Sequence, residues 1–284
     1  MTDRSTTFVS TDWLAVHLDD PAVAIIDGSW YLPTENRDAE AEYRKAHIPG
    51  AVFFNLDKVA DTSSGLPHML PAPEEFARAV GALGISDKQT IVVYDGAGLF
   101  SAPRVRWTFR TMGAPDVRIL EGGFPQWIAD GRPVESGEPK PAPKMFAAKL
   151  NAAAVRSIAE VRNIVATGSA TVVDARSGER FRGEAPEPRP GLRSGHMPGS
   201  RNVPSGTLVA DGRLRSDAEI EAAFAAAGVD PNKPIVTSCG SGVTAAILAL
   251  GLETIGARNV ALYDGSWAEW GGAQDAPVAT GPAE

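Results

Sequence analysis

The chain repeats itself once, and that duplication restricts its fold more than any other feature. Ala24-Ile25-Ile26-Asp27 resembles Thr171-Val172-Val173-Asp174, and His47-Ile48-Pro49-Gly50 returns as His196-Met197-Pro198-Gly199. Ile91-Val92-Val93-Tyr94-Asp95-Gly96-Ala97-Gly98 returns as Ile235-Val236-Thr237-Ser238-Cys239-Gly240-Ser241-Gly242. Leu120-Glu121-Gly122-Gly123-Phe124 with Trp127 matches Tyr263-Asp264-Gly265-Ser266-Trp267 with Trp270. The landmarks keep their order, and their offset stays between 143 and 149 positions. Chance rarely preserves both, so the 284 residues read as two copies of one domain. Between the copies, residues 136–144 are rich in proline and glycine and carry no apolar periodicity, the composition of an extended, semi-rigid linker. The boundary is expected near residue 140, with one domain over 1–140 and the other over 141–284.

Within each copy, short β-branched runs alternate with amphipathic stretches. In the second copy residues 170–174 and 234–238 read as strands, and 260–263 as a third. Residues 216–224 read as a helix capped by Ser216, with Glu219 in capping-box position, and another helix is expected from Gly242 to about Thr254. This alternation predicts an α/β fold, each domain a parallel sheet with helices on both faces. Ligands of such sheets sit at the carboxyl ends of the strands.

One of those ends carries the only cysteine, Cys239. A β-branched run stops at it, and Gly240 and Gly242 let the backbone turn before the next apolar helix. Unpaired amides and the positive helix end converge on such a turn. A free thiol has a pKa of about 8.5, and favouring its thiolate by two units takes roughly 3 kcal/mol, which several amides aimed at one sulfur can supply. A buried apolar cysteine is the competing reading from the residue alone. The first copy carries Asp95 in the matching place, where it cannot act as a sulfur nucleophile; it is expected to be a turn residue or helix cap. One copy is therefore active and the other supports it.

Composition excludes several classes. One cysteine permits no internal disulfide and no multi-cysteine metal site, and the four histidines are scattered. A net charge of −8 disfavours nucleic acid and anionic membranes as partners, and no run approaches the length of a membrane span. The amino terminus resembles neither a secretion signal nor an organellar presequence, so the expected location is cytoplasmic. His47 and His196 occur in both copies and are expected to hold a turn, by bonding to Asp27 and Asp174. Trp127 and Trp270 recur as packing residues. Trp30, Tyr31, Trp107 and Trp267 have no role assignable beyond core or pocket wall.

Tandem domains with His-x-Pro-Gly after the first strand, one active loop in the second domain and Asp-Gly-x-Trp near the end resemble the rhodanese superfamily. The loop from Cys239 through Gly240, Ser241, Gly242 and Val243 to Thr244 is similar to that of the 3-mercaptopyruvate sulfurtransferases. The resemblance spans about Trp13 to Gly271. Thiosulfate-using rhodaneses typically carry basic residues after the cysteine, where this chain has Gly240 and Ser241. The resemblance implies transfer of the sulfur of 3-mercaptopyruvate through a Cys239 persulfide to a thiol such as thioredoxin or a small thiol, or to cyanide, with pyruvate released. It implies no organic cofactor and no metal.

It also assigns residues. Arg180 and Arg189 match arginines that hold the substrate's carboxylate and keto group, a role suited to a guanidinium fork. Pairing with Glu179, Glu184 or Glu187 on a solvated loop is the competing reading. The loop amides from Gly240 to Thr244 would stabilise the persulfide. Asp57, His68 and Ser241 match a proposed proton-handling triad; an interdomain hydrogen-bond network without catalytic duty stays open beside it. Rival functions are a thiosulfate sulfurtransferase and a non-catalytic rhodanese-like interaction protein. A cysteine phosphatase of related fold needs an arginine six positions after its cysteine, where this chain has Ala245.

Overall fold

A computed structural model describes residues 4–283. The first sheet comprises β1 (Phe8–Val9), β2 (Val23–Asp27), β3 (Val52–Phe53), β4 (Thr90–Tyr94) and β5 (Val117–Leu120), in the order β1-β5-β4-β2-β3 with every pairing parallel. The second repeats it. Strands β6 (Val155–Arg156), β7 (Thr171–Asp174), β8 (Arg201–Asn202), β11 (Ile235–Ser238) and β12 (Val260–Tyr263) run β6-β12-β11-β7-β8, again parallel. A small antiparallel hairpin, β9 (Val209–Ala210) with β10 (Arg213–Leu214), is inserted between β8 and β11.

Both faces of each sheet are covered, as the continuous apolar strands require. Along β4, Ile91 and Val93 enter one apolar cluster while Val92 and Tyr94 enter another, the period-2 alternation of a strand. The first of these clusters also contains Val173, Ile235 and Leu262 of the second sheet. The two inner faces thus share one core, in which the helix Ala102–Thr111 packs on the helix Ala245–Thr254. The outer faces keep separate cores around Trp127 and around Trp270. Each of these indoles donates to a nearby carbonyl, Trp127 to Pro133 at 2.7 Å and Trp270 to Pro277 at 2.8 Å, in keeping with packing roles.

Local signals hold with small shifts. Ser216 and Glu219 form the expected capping box, and their helix runs Asp217–Ala226. The helix expected from Gly242 begins only at Ala245, because Gly242 is left-handed (φ 81°) and residues 242–244 belong to the loop. Residues 136–144 form neither helix nor strand and bend at Gly137 (φ 98°), and the following stretch is tied down on the first domain. Lys144 N donates to Gly81 O at 2.9 Å and Lys149 N to Met112 O at 2.9 Å, while Phe146 is buried against Phe76 and Phe109. Gly81 permits this approach, since a Cβ there would stand 2.5 Å from Lys144 O.

The expected bonds from His47 to Asp27 and from His196 to Asp174 are not made. Each ring instead bonds through Nδ1 to a carbonyl, Tyr43 O at 2.8 Å and Phe181 O at 2.9 Å, and stacks on that residue's ring. Each backbone also pairs with the strap after the last helix of its domain, His47 with Glu135 and His196 with Ala279. The turn-holding role stands and its partners differ; in the second domain Asp174 is taken by Arg176.

That last pair exposes an asymmetry with an energetic consequence. The position matching Arg176 is Ser29, so Asp27 is a buried carboxyl without a cation, and burial pushes it up to about 6. A carboxyl with a raised native pKa favours folding below its unfolded pKa and loses that contribution as pH rises through its folded one. The structure is therefore penalised above about pH 6, by at most roughly 3 kcal/mol. Asp27→Asn keeps an oxygen for Ser29 N and removes the charge. Its melting temperature should exceed the parent's at pH 7 and match it at pH 4; a lower value at pH 7 would refute this account.

Candidate active site

The carboxyl ends of both sheets face one cleft of about 250 Å³. Cys239, directly after β11, lies at its floor and is 2% exposed. Its backbone is fastened from below. Cys239 N donates to Ser266 Oγ at 3.2 Å, and Cys239 O and Gly240 O accept from Trp267 N and Ala268 N at 2.9 Å each. The Asp264-Gly265-Ser266-Trp267 segment is thus the anchor of the loop, and Phe124 N to Asp95 O at 3.0 Å repeats the anchor in the first copy.

The silent copy reveals what this loop geometry can hold. Asp95 Oδ2 accepts from the amides of Phe100, Ser101 and Ala102 at 2.7, 2.9 and 2.8 Å, and Oδ1 accepts from Ala97 N at 2.9 Å. The carboxylate fills its own anion cradle and caps the helix Ala102–Thr111, the role expected of it. The matching amides around Cys239 belong to Ser241, Thr244, Ala245 and Ala246. Ala246 N turns back to Val243 O at 3.2 Å. The other three are, by the repeat, the counterparts of amides that Asp95 engages with its carboxylate.

Two arginines reach the same cleft. Arg180, on the helix Gly178–Arg182, pairs with Glu187 at 2.5 Å, the partner that the competing reading named. Glu187 is not on a solvated loop: its side chain is 2% exposed, and the fully buried Arg176 holds its other oxygen at 2.7 Å. Arg176 in turn binds Asp174 at 2.7 Å and lies over Trp267. Arg189 makes no ion pair among the described residues. Burial holds its guanidinium below its usual range, opposed by Cys239 and reinforced by Arg180. Arg176 and Arg180 are committed to Asp174 and Glu187, and the attractive charges that act on Arg189 are Cys239 in the cleft, Asp57 behind its wall and Glu187.

Gly240, Ser241, Val243 and Thr244 line the cleft with Cys239, Arg180 and Arg189. Gly242 does not; it faces back into the protein beside Arg104. Asp57 and His68 also stand behind the wall and connect to it through Ser241. His68 Nδ1 lies 3.2 Å from Ser241 Oγ, and Nε2 lies 2.9 Å from Asp57 Oδ1. The hydrogen bond to His68 holds the Asp57 carboxyl below its usual range, and that carboxylate remains largely open to solvent. All three members therefore meet in one chain from solvent to cleft.

The silent domain supplies one wall of the cleft: Trp30, left open between core and pocket wall by the sequence, is wall, and Phe100, which sequence reasoning missed, stands beside it. Trp30 packs edge-on against His68 at 4.8 Å, bonds Asp57 Oδ2 at 3.2 Å through Nε1, and lies parallel to Phe100. Phe100 occupies the position that matches Thr244, so the silent loop lends its own side chain to the live one. The repeat alignment contained that signal. Arg176 stood in the same segment as Arg180 without a cue to separate a holder from a binder.

Comparison with known proteins agrees with this architecture. The family model described as "Rhodanese-like domain" matches residues 10–130 and 157–273. The 3-mercaptopyruvate sulfurtransferase of Escherichia coli (strain K12) is 46% identical over 275 residues, 96% of this chain and 98% of that protein. The mitochondrial thiosulfate/3-mercaptopyruvate sulfurtransferase 1 of Arabidopsis thaliana is 42% identical, over 95% of this chain and 77% of that one. Among solved structures, SseA from Escherichia coli, described with the 3-mercaptopyruvate sulfotransferases, superposes with a TM-score of 0.86 at 44% identity, covering 92% of this chain and 98% of that one.

Proposed function

The chain belongs to the rhodanese family, with two such domains in tandem, and from that membership we propose that it is an enzyme, a 3-mercaptopyruvate sulfurtransferase working through Cys239. The observation that carries the donor assignment is the cleft itself, in which a nucleophile at the floor shares one small space with Arg180 and the unpaired Arg189. A planar α-keto acid fits this arrangement. Its carboxylate and keto oxygen take the guanidinium groups, which leaves its sulfur-bearing carbon directed at the floor.

The Cys239 thiolate attacks the substrate sulfur, forming the S–S bond as the C–S bond breaks. The electron pair of the broken bond leaves on the three-carbon fragment as the enolate of pyruvate. A proton delivered along Asp57, His68 and Ser241 then converts the enolate to pyruvate. Amides of Ser241, Thr244 and Ala245 stabilise charge on the persulfide as the matching amides of Ala97, Phe100 and Ser101 do on Asp95. A thiol, either a small molecule or a protein such as thioredoxin, attacks the outer sulfur and regenerates Cys239. We place this chemistry in the cytoplasm, where reducing conditions keep a lone thiol free; no helix among the described residues is long and apolar enough to cross a membrane.

Thiosulfate is a second donor that a cleft lined by Arg180 and Arg189 admits, and the name of the Arabidopsis relative carries both donors. Intact-mass measurement separates these readings. Incubation with 3-mercaptopyruvate should add one sulfur to the protein, located on Cys239, faster than incubation with thiosulfate does. A preference for thiosulfate would overturn the donor, and no adduct from either would overturn the enzyme.

A further inference from the structure

We propose that Arg104, a residue of the silent domain outside the cleft, is a positioning residue that sets His68 for proton delivery. The inference rests on the sulfurtransferase reading and adds to it a device built across the domain interface.

Arg104 projects from the helix Ala102–Thr111 and is 1% exposed. Its Nη2 donates to Asp264 Oδ1 of the second domain at 2.6 Å and also to the carbonyl oxygen of His68. Asp264 Oδ2 accepts from Leu70 N at 2.7 Å, so the ion pair grips the backbone on both sides of Met69. Trp107 covers the guanidinium. Nε and Nη1 are buried with no hydrogen-bond partner, and Nη1 lies where a Cβ on Gly242 would be, 2.5 Å from it.

This grip has something to hold. His68 is one of few residues besides glycine with a left-handed backbone (φ 61°) among the described residues. Such a conformation persists only where its surroundings enforce it. It points the His68 ring at Ser241 while the carbonyl points away to Arg104. Asp264 takes the place of Glu121 of the first copy, so the pair is not a general feature of the repeat.

The same helix provides an internal control. Arg106, two residues on, is also buried and spans the same interface, paired with Glu253 at 2.7 and 2.9 Å. It touches neither His68 nor the loop. Removing either arginine costs the interface an ion pair; only removal of Arg104 also removes a hold on His68.

The two donors divide the roles. Transfer from 3-mercaptopyruvate must protonate a carbon fragment, whereas transfer from thiosulfate releases sulfite and protonates no carbon. Arg104→Met should therefore lower kcat with 3-mercaptopyruvate by about 30–100-fold, as loss of a positioned proton donor does, with KM changed less than about threefold. Its rate with thiosulfate should stay within about threefold of the parent. Arg104→Lys, whose ammonium offers donors to both oxygens from a side chain one bond shorter than the Nη2 that serves them, should recover part of the loss. Arg104→Met combined with His68→Asn should be no slower than His68→Asn alone, because both changes interrupt one step. Arg106→Met should lower the melting temperature comparably and leave kcat near the parent value.

Equal losses with both donors, an equal kcat loss in Arg106→Met, or a double variant slower by the product of the single effects would each overturn the proposal. If Arg104→Met fails to fold, Arg104→Lys and the Arg106→Met comparison carry the test on their own. A parent protein that forms no persulfide would instead sink the sulfurtransferase reading, which keeps the two failures distinct.

Discussion

Cys239→Ser should abolish turnover, lowering the rate with 3-mercaptopyruvate by on the order of 10⁴-fold or more. A serine hydroxyl keeps the size and the loop but is a far weaker nucleophile, and it forms no S–S bond. Asp95 adds a less obvious companion experiment. In the silent copy a carboxylate takes three amides on one oxygen and a fourth on the other, all within 2.7–2.9 Å. The live loop has the same backbone plan, with left-handed Gly242 in the place of left-handed Gly98. Cys239→Asp should accordingly be as inactive as Cys239→Ser yet more stable than it, by about 1–2 kcal/mol, since hydrogen bonds to a charged acceptor are among the stronger ones. Steady-state assay and thermal melting check the two halves. Turnover by the serine variant would remove Cys239 from the chemistry, and an aspartate variant less stable than the serine one would show that the live loop is not an anion cradle.

The repeat, the alternation of strands and helices, and the capped helix at Ser216 were all legible because they are local or periodic. The loop at Cys239 was legible for the same reason: a strand end, a turn and a helix start sit within a dozen residues. What escaped is pairing across distance. Arg104 meets Asp264, 160 positions away, and Phe100 enters a cleft whose nucleophile is on the other domain. No spacing rule announces such contacts. Arg176 and Arg180 illustrate a second limit, because neighbouring arginines of one segment divide into a buried brace and a cleft-facing cation by burial alone. The stretch after the linker escaped for a related reason. Phe146 sits in a short apolar run, Met145 to Ala148, without helix or strand periodicity, and its packing against Phe76 and Phe109 explains why that chain lies on the first domain.

The two cleft-facing arginines should be unequal, and their inequality is the sharpest check on donor recognition. Arg180 is already committed to Glu187, whose other oxygen belongs to Arg176, so its charge is largely spent within the protein. Arg189 has no ion pair among the described residues, and its half-buried guanidinium feels Cys239 and Asp57 only through space, so its hydrogen-bond donors are free for an incoming anion. Arg189→Ala should therefore raise KM for 3-mercaptopyruvate by about 100-fold and Arg180→Ala by about 10-fold, with the double variant near 10³-fold. Arg189→Lys should recover only part, because an ammonium restores the charge without the planar fork. Thiosulfate should suffer much less, about threefold to tenfold in KM, through loss of general attraction. The difference follows from where each donor carries its charge. In thiosulfate the anionic oxygens sit on the atom bonded to the transferred sulfur, close to the loop amides. In 3-mercaptopyruvate the carboxylate is separated from the sulfur-bearing carbon by the keto carbon, and only that extended shape spans from Cys239 to the arginines. Similar losses for both donors would mean that the arginines supply field rather than recognition, and the specificity would then have to come from the Trp30 and Phe100 wall.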